Sequence, residues 1–230
     1  MFKTIEAITY DFGGDLFIDI GGNVGMWTTQ LVDLYTKIIF IEPSGTALEQ
    51  AKLNIQQRCE NTNVSVDNIT YIKAICTNVE DQTRSIYSGT NDTGNFSIFA
   101  KDLYGEEKMT MQEENIPTIT IDSLIDRATN ESKILIKIDT EGSDLDILLG
   151  GLKFFERYKP TIIMEAHYHM YFDEKKHKTA FDFLKNLGYT IHEFKYSGYI
   201  NNPEKIFDGT HNGIQMYDKH FQIVFIPLEK

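Results

Sequence analysis

Four side chains able to handle a proton stand in two pairs, Asp139 with Glu141 and Glu165 with His167, each pair two residues apart. Each follows a short apolar run, Ile134–Ile138 and Thr161–Met164. Alternate residues of an extended chain point the same way, so each pair is expected to present its two groups to one side. An imidazole beside carboxylates is suited to proton transfer near neutral pH, which makes His167 the leading candidate for a general base. Asp139 or Glu141 would orient it, bind substrate hydroxyls or meet a cofactor amino group. Structural roles compete at each position. Glu141 and Asp139 precede a helical pattern and would serve its N-terminus, Glu165 would pair with a buried cation, and His167 would be an ordinary packed histidine. His167-Tyr168-His169 with Asp139 also offers imidazole and carboxylate ligands for a divalent metal, and Asp139, Glu141 and Glu165 an all-oxygen set. A metal is compatible with these residues and is not predicted.

A second group has the composition of a cofactor turn. Leu16-Phe17-Ile18-Asp19-Ile20 reads as a buried strand that breaks into Gly21-Gly22-Asn23-Val24-Gly25 and then a helix. Glycine lets backbone approach a ligand closely, and a helix N-terminus offers N–H groups. The dinucleotide fingerprint needs G-x-G-x-x-G, but Asn23 and Met26 occupy two of its glycine positions. Asn tolerates left-handed backbone, so Asn23 can still make the turn. Glu42 ends the next strand, 23 residues after Asp19. A carboxylate there can accept both ribose hydroxyls, as in NAD and S-adenosylmethionine sites. Pro43, Ala74 and Ile75, at strand ends, are placed to flank an adenine. Capping by Glu42 and plain strand-end packing are the bland alternatives.

Positioning these residues requires strands that end together. Apolar runs alternate with helical patterns, which predicts βαβ units and a mostly parallel sheet. Strands are expected at Leu16–Ile20, Ile38–Ile41, Ile69–Cys76, Ile134–Ile138, Thr161–Met164, Tyr189–Phe194 and Gln222–Ile226. Helices are expected over Val24–Tyr35, Thr46–Cys59, Leu145–Phe155 and Lys175–Leu187, the last closed by Gly188. Residues 77–115 are polar and glycine-bearing, and read as an insertion on the ligand rim with a small hairpin. No helical pattern links the last two strands, so the final one is expected to run antiparallel.

The chain has 230 residues and a net charge of −12. That length suits one domain spanning 1–230. The acidic balance disfavours nucleic acid, which is held through Lys and Arg contacts to phosphate. Cys59 and Cys76, without CxxC spacing, point to a reducing compartment and a cytoplasmic setting. No signal peptide or membrane-spanning stretch is visible.

Five segments together carry a family resemblance: Asp19-Ile20-Gly21-Gly22-Asn23-Val24-Gly25, Ile41-Glu42-Pro43, Thr120-Ile121-Asp122-Ser123-Leu124, Lys137-Ile138-Asp139-Thr140-Glu141-Gly142 and Pro160–His167. In order and spacing, the stretch from Phe17 to Phe194 resembles the FkbM family of S-adenosylmethionine-dependent methyltransferases. The resemblance implies a Rossmann-like, seven-stranded α/β fold with an antiparallel last strand and helices on both faces. It implies O-methylation of a hydroxyl on a sugar, glycan or other small molecule, and it requires no metal. Some fifteen residues precede the first strand, so a substrate-covering region there is expected to be reduced. Competing readings are an RNA ribose methyltransferase, which the acidic charge opposes, a nicotinamide oxidoreductase, which the broken fingerprint opposes, and a non-catalytic cofactor-binding protein.

Overall fold

The computed structural model describes residues 13–89, 97–98, 109–128, 133–166, 174–195, 198–200 and 221–228. Eight strands form the main sheet: β1 (Gly14–Ile20), β2 (Tyr35–Ile41), β3 (Ile69–Ile72), β7 (Ile134–Ile138), β8 (Thr161–Ala166), β9 (Tyr189–Lys195), β10 (Gly198–Ile200) and β11 (Phe221–Pro227), in the order β10-β9-β11-β8-β7-β1-β2-β3. The pairs β3·β2, β2·β1, β1·β7 and β7·β8 are parallel, whereas β11 runs antiparallel between β8 and β9. The seven expected strands are all present, with the last one reversed, and the short β10 adds an eighth at the edge. The order turns at β1, from which the chain winds outward in both directions. In such sheets ligands bind at the carboxyl ends of the strands near that switch.

Period-two alternation separates two cores. Leu16, Ile18, Ile20, Ile39, Ile41, Ile134, Ile136 and Ile138 face α3 (Asp144–Leu149), α4 (Leu152–Tyr158) and α5 (Glu174–Asn186). Phe17, Ile38, Phe40, Leu135 and Ile163 face α1 (Met26–Leu31) and α2 (Gly45–Thr62), which contribute Trp27, Leu31, Leu48, Ala51 and Ile55. Each fully buried aliphatic or aromatic side chain adds about 1.5–3 kcal/mol, so both faces hold the strand ends rigidly in place.

Three expected elements are differently bounded. The first helix starts only at Met26, because Asn23 (φ 49°) and Gly25 (φ 82°) turn the chain left-handed, and it stops at Leu31, so that Tyr35 can pair in β2. The third strand divides. Ile72 is the last residue paired with β2, while Ile75–Cys76 forms β4 in a second sheet. The helix expected over Leu145–Phe155 breaks at Gly150-Gly151. The Gly150 carbonyl accepts from Asp122 N–H (2.9 Å), and a Cβ on Gly150 would stand 2.3 Å from the Thr77 carbonyl oxygen.

The second sheet has the order β4-β6-β5, in which β5 (Thr83–Gly89) and β6 (Met109–Ile119) pair antiparallel. β5 and the first part of β6 fall in the stretch expected to be an insertion, and β6 runs on past Asn115.

Candidate functional site

The face of the sheet turned to α1 changes character at its carboxyl end. Two residues beyond Phe17 comes Asp19, two beyond Leu135 comes Lys137, and two beyond Ile163 comes Glu165. Strand periodicity therefore continues an apolar row as a charged one. Asp19 lies directly opposite Lys137 in the β1·β7 register. Asp139 follows β7 and donates its backbone N–H to the Ile20 carbonyl (3.1 Å), so it stays in line with the strands.

Lys137 is the hub of this row. Its Nζ lies 3.0 Å from Asp139 Oδ2 and 3.8 Å from Asp19 Oδ1, 5.6 Å from the centre of the Trp27 ring. Burial disfavours the ammonium, but Asp139, Asp19 and Glu165 outweigh it and hold the Lys137 pKa above its ordinary value. Asp19 is fully buried and accepts from Thr28 Oγ1 at 2.7 Å. Burial pushes its carboxyl up, and Lys137 opposes that. Glu165 is half-buried and its carboxyl is pushed well above the carboxylate range, first by burial and then by the Asp139 charge, with which it shares a hydrogen bond.

The glycine turn packs against this row and leaves little room. A Cβ on Gly21 (φ 73°) would lie 1.9 Å from the Asp139 carbonyl oxygen, and one on Gly22 would meet the Phe40 ring at 2.2 Å. The N–H groups of the turn are turned inward. Gly21 and Gly22 donate to the Ile41 carbonyl (2.9 and 3.2 Å), Gly25 donates to the Gly22 carbonyl (2.8 Å), and Asn23 donates to Glu42 Oε2 (2.8 Å). The free donors expected of a strand–turn–helix motif are therefore engaged by the protein at these four positions.

Glu42 is buried directly after β2, and its second oxygen, Oε1, accepts from Ser44 N–H (2.9 Å). Burial raises its pKa to about 7 against the pull of these two N–H groups. Pro43 is half-buried beside it, and Ser44 caps α2 by accepting from Ala47 N–H (3.3 Å). The next N–H of α2, from Gly45, donates to Glu113 Oε2 on β6 (3.0 Å), and Glu113 is bridged in turn to Lys73. Ala74, between β3 and β4, and Ile75, the first residue of β4, are both buried.

Glu141 does not continue an extended chain. It takes φ 52° and Gly142 takes φ 123°, so its side chain does not repeat the direction of Asp139 as alternation implied. The turn is fixed by Asp144, whose Oδ1 accepts from Thr140 N–H and Oγ1 (3.2 and 3.1 Å), and by Ser97 Oγ, which donates to the Glu141 carbonyl (2.7 Å). Burial, then the charge of Asp139, lifts the Asp144 pKa to about 6. His167, with Tyr168 and His169, lies outside the described residues. Among the described residues no three His, Cys, Asp or Glu side chains are placed to hold a metal ion.

The structure therefore brings together Asp19, Gly21, Gly22, Asn23, Gly25, Glu42, Asp139 and Glu165, and puts Glu141 on the adjoining turn. Residue-type reasoning passed over Lys137, Thr28, Trp27, Asp144 and Glu113. A lysine inside the apolar strand Ile-Leu-Ile-Lys-Ile was the available signal, because a buried ammonium needs carboxylate partners. Trp27 and Glu113 depend on pairings distant in sequence, with Lys137 and Gly45, whereas Thr28 and Asp144 pair with Asp19 and Thr140 across turns that only the fold defines.

Comparison with known proteins agrees with this fold. The model of the methyltransferase FkbM domain matches residues 19–191. The solved FkbM methyltransferase of Methylobacillus flagellatus KT is 18% identical with a TM-score of 0.54. The alignment covers 93% of this chain but 44% of that one, so the chain spans less than half of that protein's length. A Streptococcus mutans protein described as a candidate methyltransferase, solved in complex with SAH, is 12% identical with a TM-score of 0.51, covering 97% of this chain and 96% of that one. No curated protein matches the sequence significantly. Among the described residues no helix is long and apolar enough to cross a membrane. With the family model spanning the glycine turn, Glu42, the Lys137 row and β8, the chain belongs to the FkbM methyltransferase family.

Proposed function

We propose that this protein is an S-adenosylmethionine-dependent O-methyltransferase acting on a hydroxyl of a sugar, glycan or other small metabolite. The observation that carries the cofactor part is the direction of the hydrogen bonds in the turn. A pyrophosphate would need free N–H donors, but those of Gly21, Gly22, Asn23 and Gly25 are engaged within the protein. Carboxylate acceptors line the site instead: Glu42 along one side and Asp19 and Asp139 along the other. A ligand rich in donors, with ribose hydroxyls at one end and an ammonium at the other, fits that set.

In this reading Glu42 takes the ribose hydroxyls, Pro43, Ala74 and Ile75 flank the adenine, and Asp19 and Asp139 face the amino-acid end. The bound cofactor supplies the electrophilic methyl group. The protein holds the acceptor hydroxyl in line, keeps water away and takes its proton. His167, directly after β8, is the proposed base, oriented by Asp139 or Glu141. The acidic chain favours a neutral acceptor over a polyanion. Residues 1–230 form one catalytic domain, with the β5–β6 hairpin on its rim, in a reducing compartment such as the cytoplasm.

The test is methyl transfer from labelled cofactor to a panel of sugars, lipids, peptides and RNAs, with and without Mg²⁺. Label on a sugar or small-metabolite hydroxyl is expected. Label confined to RNA, or transfer to no acceptor despite cofactor binding, overturns the proposal.

A further inference from the structure

Among the described residues, the site holds more carboxyl groups than its buried cation, Lys137, neutralises. Asp19 on β1, Asp139 after β7 and Glu165 on β8 all face Lys137. Glu42 adds its charge from just after β2, while Glu141 and Asp144 add theirs from the turn and from α3. Asp139 and Glu165 each come one residue after the last β7·β8 pair, Ile138 with Met164, which sets them side by side, and two carboxyl groups in such contact need one proton between them. The question is which of the two is the anion.

Lys137 answers it by position. Its Nζ is 3.0 Å from Asp139 Oδ2, it is 5% exposed, and its approach is fixed by Asp19 on one side and by the Trp27 ring above. We propose that Lys137 is a positioning residue that fixes Asp139 as the anion of the Asp139–Glu165 pair and leaves Glu165 as its neutral, hydrogen-bond-donating member. Burial of Glu165 and the raised Lys137 point the same way.

For catalysis the consequence rests on the methyltransferase reading. Glu165 ceases to be a candidate base and becomes a donor, to Asp139 or to the acceptor oxygen. Asp139 is the fixed charge that orients the imidazole of His167 or binds the acceptor hydroxyl. The charge assignment itself belongs to the free protein.

Carbon-13 NMR of labelled Asp and Glu carboxyls, titrated on the cofactor-free protein, tests it. Glu165→Gln and Asp139→Asn assign the two resonances. In the wild type Glu165 is expected to be neutral at pH 7 and Asp139 ionised. In Lys137→Met the Asp139 midpoint is expected to rise by at least one pH unit, and the separation between the two sites to shrink. An ionised Glu165 at pH 7, or an Asp139 midpoint unmoved in Lys137→Met, overturns the proposal. Should Lys137→Met fail to fold, the wild-type titration still decides which acid holds the proton. Failure of methyl transfer with a neutral Glu165 would count against the proposed activity alone, and active enzyme with an ionised Glu165 against this assignment alone.

Discussion

At the scale of single residues, the site is governed by what burial does to carboxyl groups. Glu42 is held by two N–H bonds that favour its ionised form, inside a setting that opposes it, and the balance leaves its pKa near 7. Ribose hydroxyls bind best to the carboxylate. S-adenosylhomocysteine affinity is therefore expected to rise severalfold from pH 6 to pH 8 and then level off, as read by calorimetry; a flat profile would contradict this role. Gly21 gives a steric prediction. Gly21→Ala would force a Cβ toward the Asp139 carbonyl oxygen at a left-handed φ. A loss of about 2 kcal/mol or more in stability is expected from chemical denaturation, with cofactor binding weakened as well. The glycine turn and the place of Glu42 directly after the second strand were legible in sequence, because a strand, a glycine cluster and a carboxylate one strand later have a recognisable spacing. Lys137 stands at the head of Lys-Ile-Asp-Thr-Glu-Gly, but its role depends on facing Asp19 across β1·β7, a register that no local pattern states.

At the scale of elements, the hairpin and the helices act on the site through a few bonds. Glu113 on β6 reaches the Gly45 N–H at the start of α2, one residue from Ser44, which itself binds Glu42. A carboxylate at a helix N-terminus contributes about 0.3–1 kcal/mol, and the partly exposed Lys73 pair adds little. Glu113→Ala is therefore expected to cost at most about 1 kcal/mol of stability, while raising the dissociation constant of S-adenosylhomocysteine a few-fold through the Glu42–Ser44 corner. Unchanged binding would show that the hairpin does not support the cofactor end. Here the sequence was partly readable. The sheet strands showed as apolar runs, and the reversed last strand followed from the missing helical link. The division of 145–155 at Gly150-Gly151 was marked by its glycines, but only the Thr77 carbonyl against Gly150 explains it. β10, three residues long, carries too short a pattern to be read.

For the whole molecule, clustering acids in the sheet's carboxyl end costs stability. Asp19, Glu42, Asp144 and Glu165 all have folded-state pKa values raised above their unfolded ones, by burial first in each case. The folded protein thus binds protons more tightly than the unfolded chain. The contribution of these groups is fully present below about pH 4, and it is lost as pH rises through their folded values, about 6 for Asp144 and about 7 for Glu42. The Tm of the cofactor-free protein is expected to fall between pH 5 and pH 8; a Tm rising steadily over that range would contradict the cluster's electrostatics. Such a destabilised patch suits a site completed by a cationic ligand, because charge placed there relieves it.

In the proposed function, the inward-facing turn and Glu42 bind the adenosine of a methyl donor. This is tested most directly by calorimetric titration of S-adenosylhomocysteine into wild type and into Glu42→Ala, with folding of the variant confirmed by its melting curve. Two hydrogen bonds to a buried carboxylate are worth about 1.5–3 kcal/mol each, so a loss of at least tenfold is expected. Equal affinity in the two proteins, or no binding by the wild type, would contradict the account.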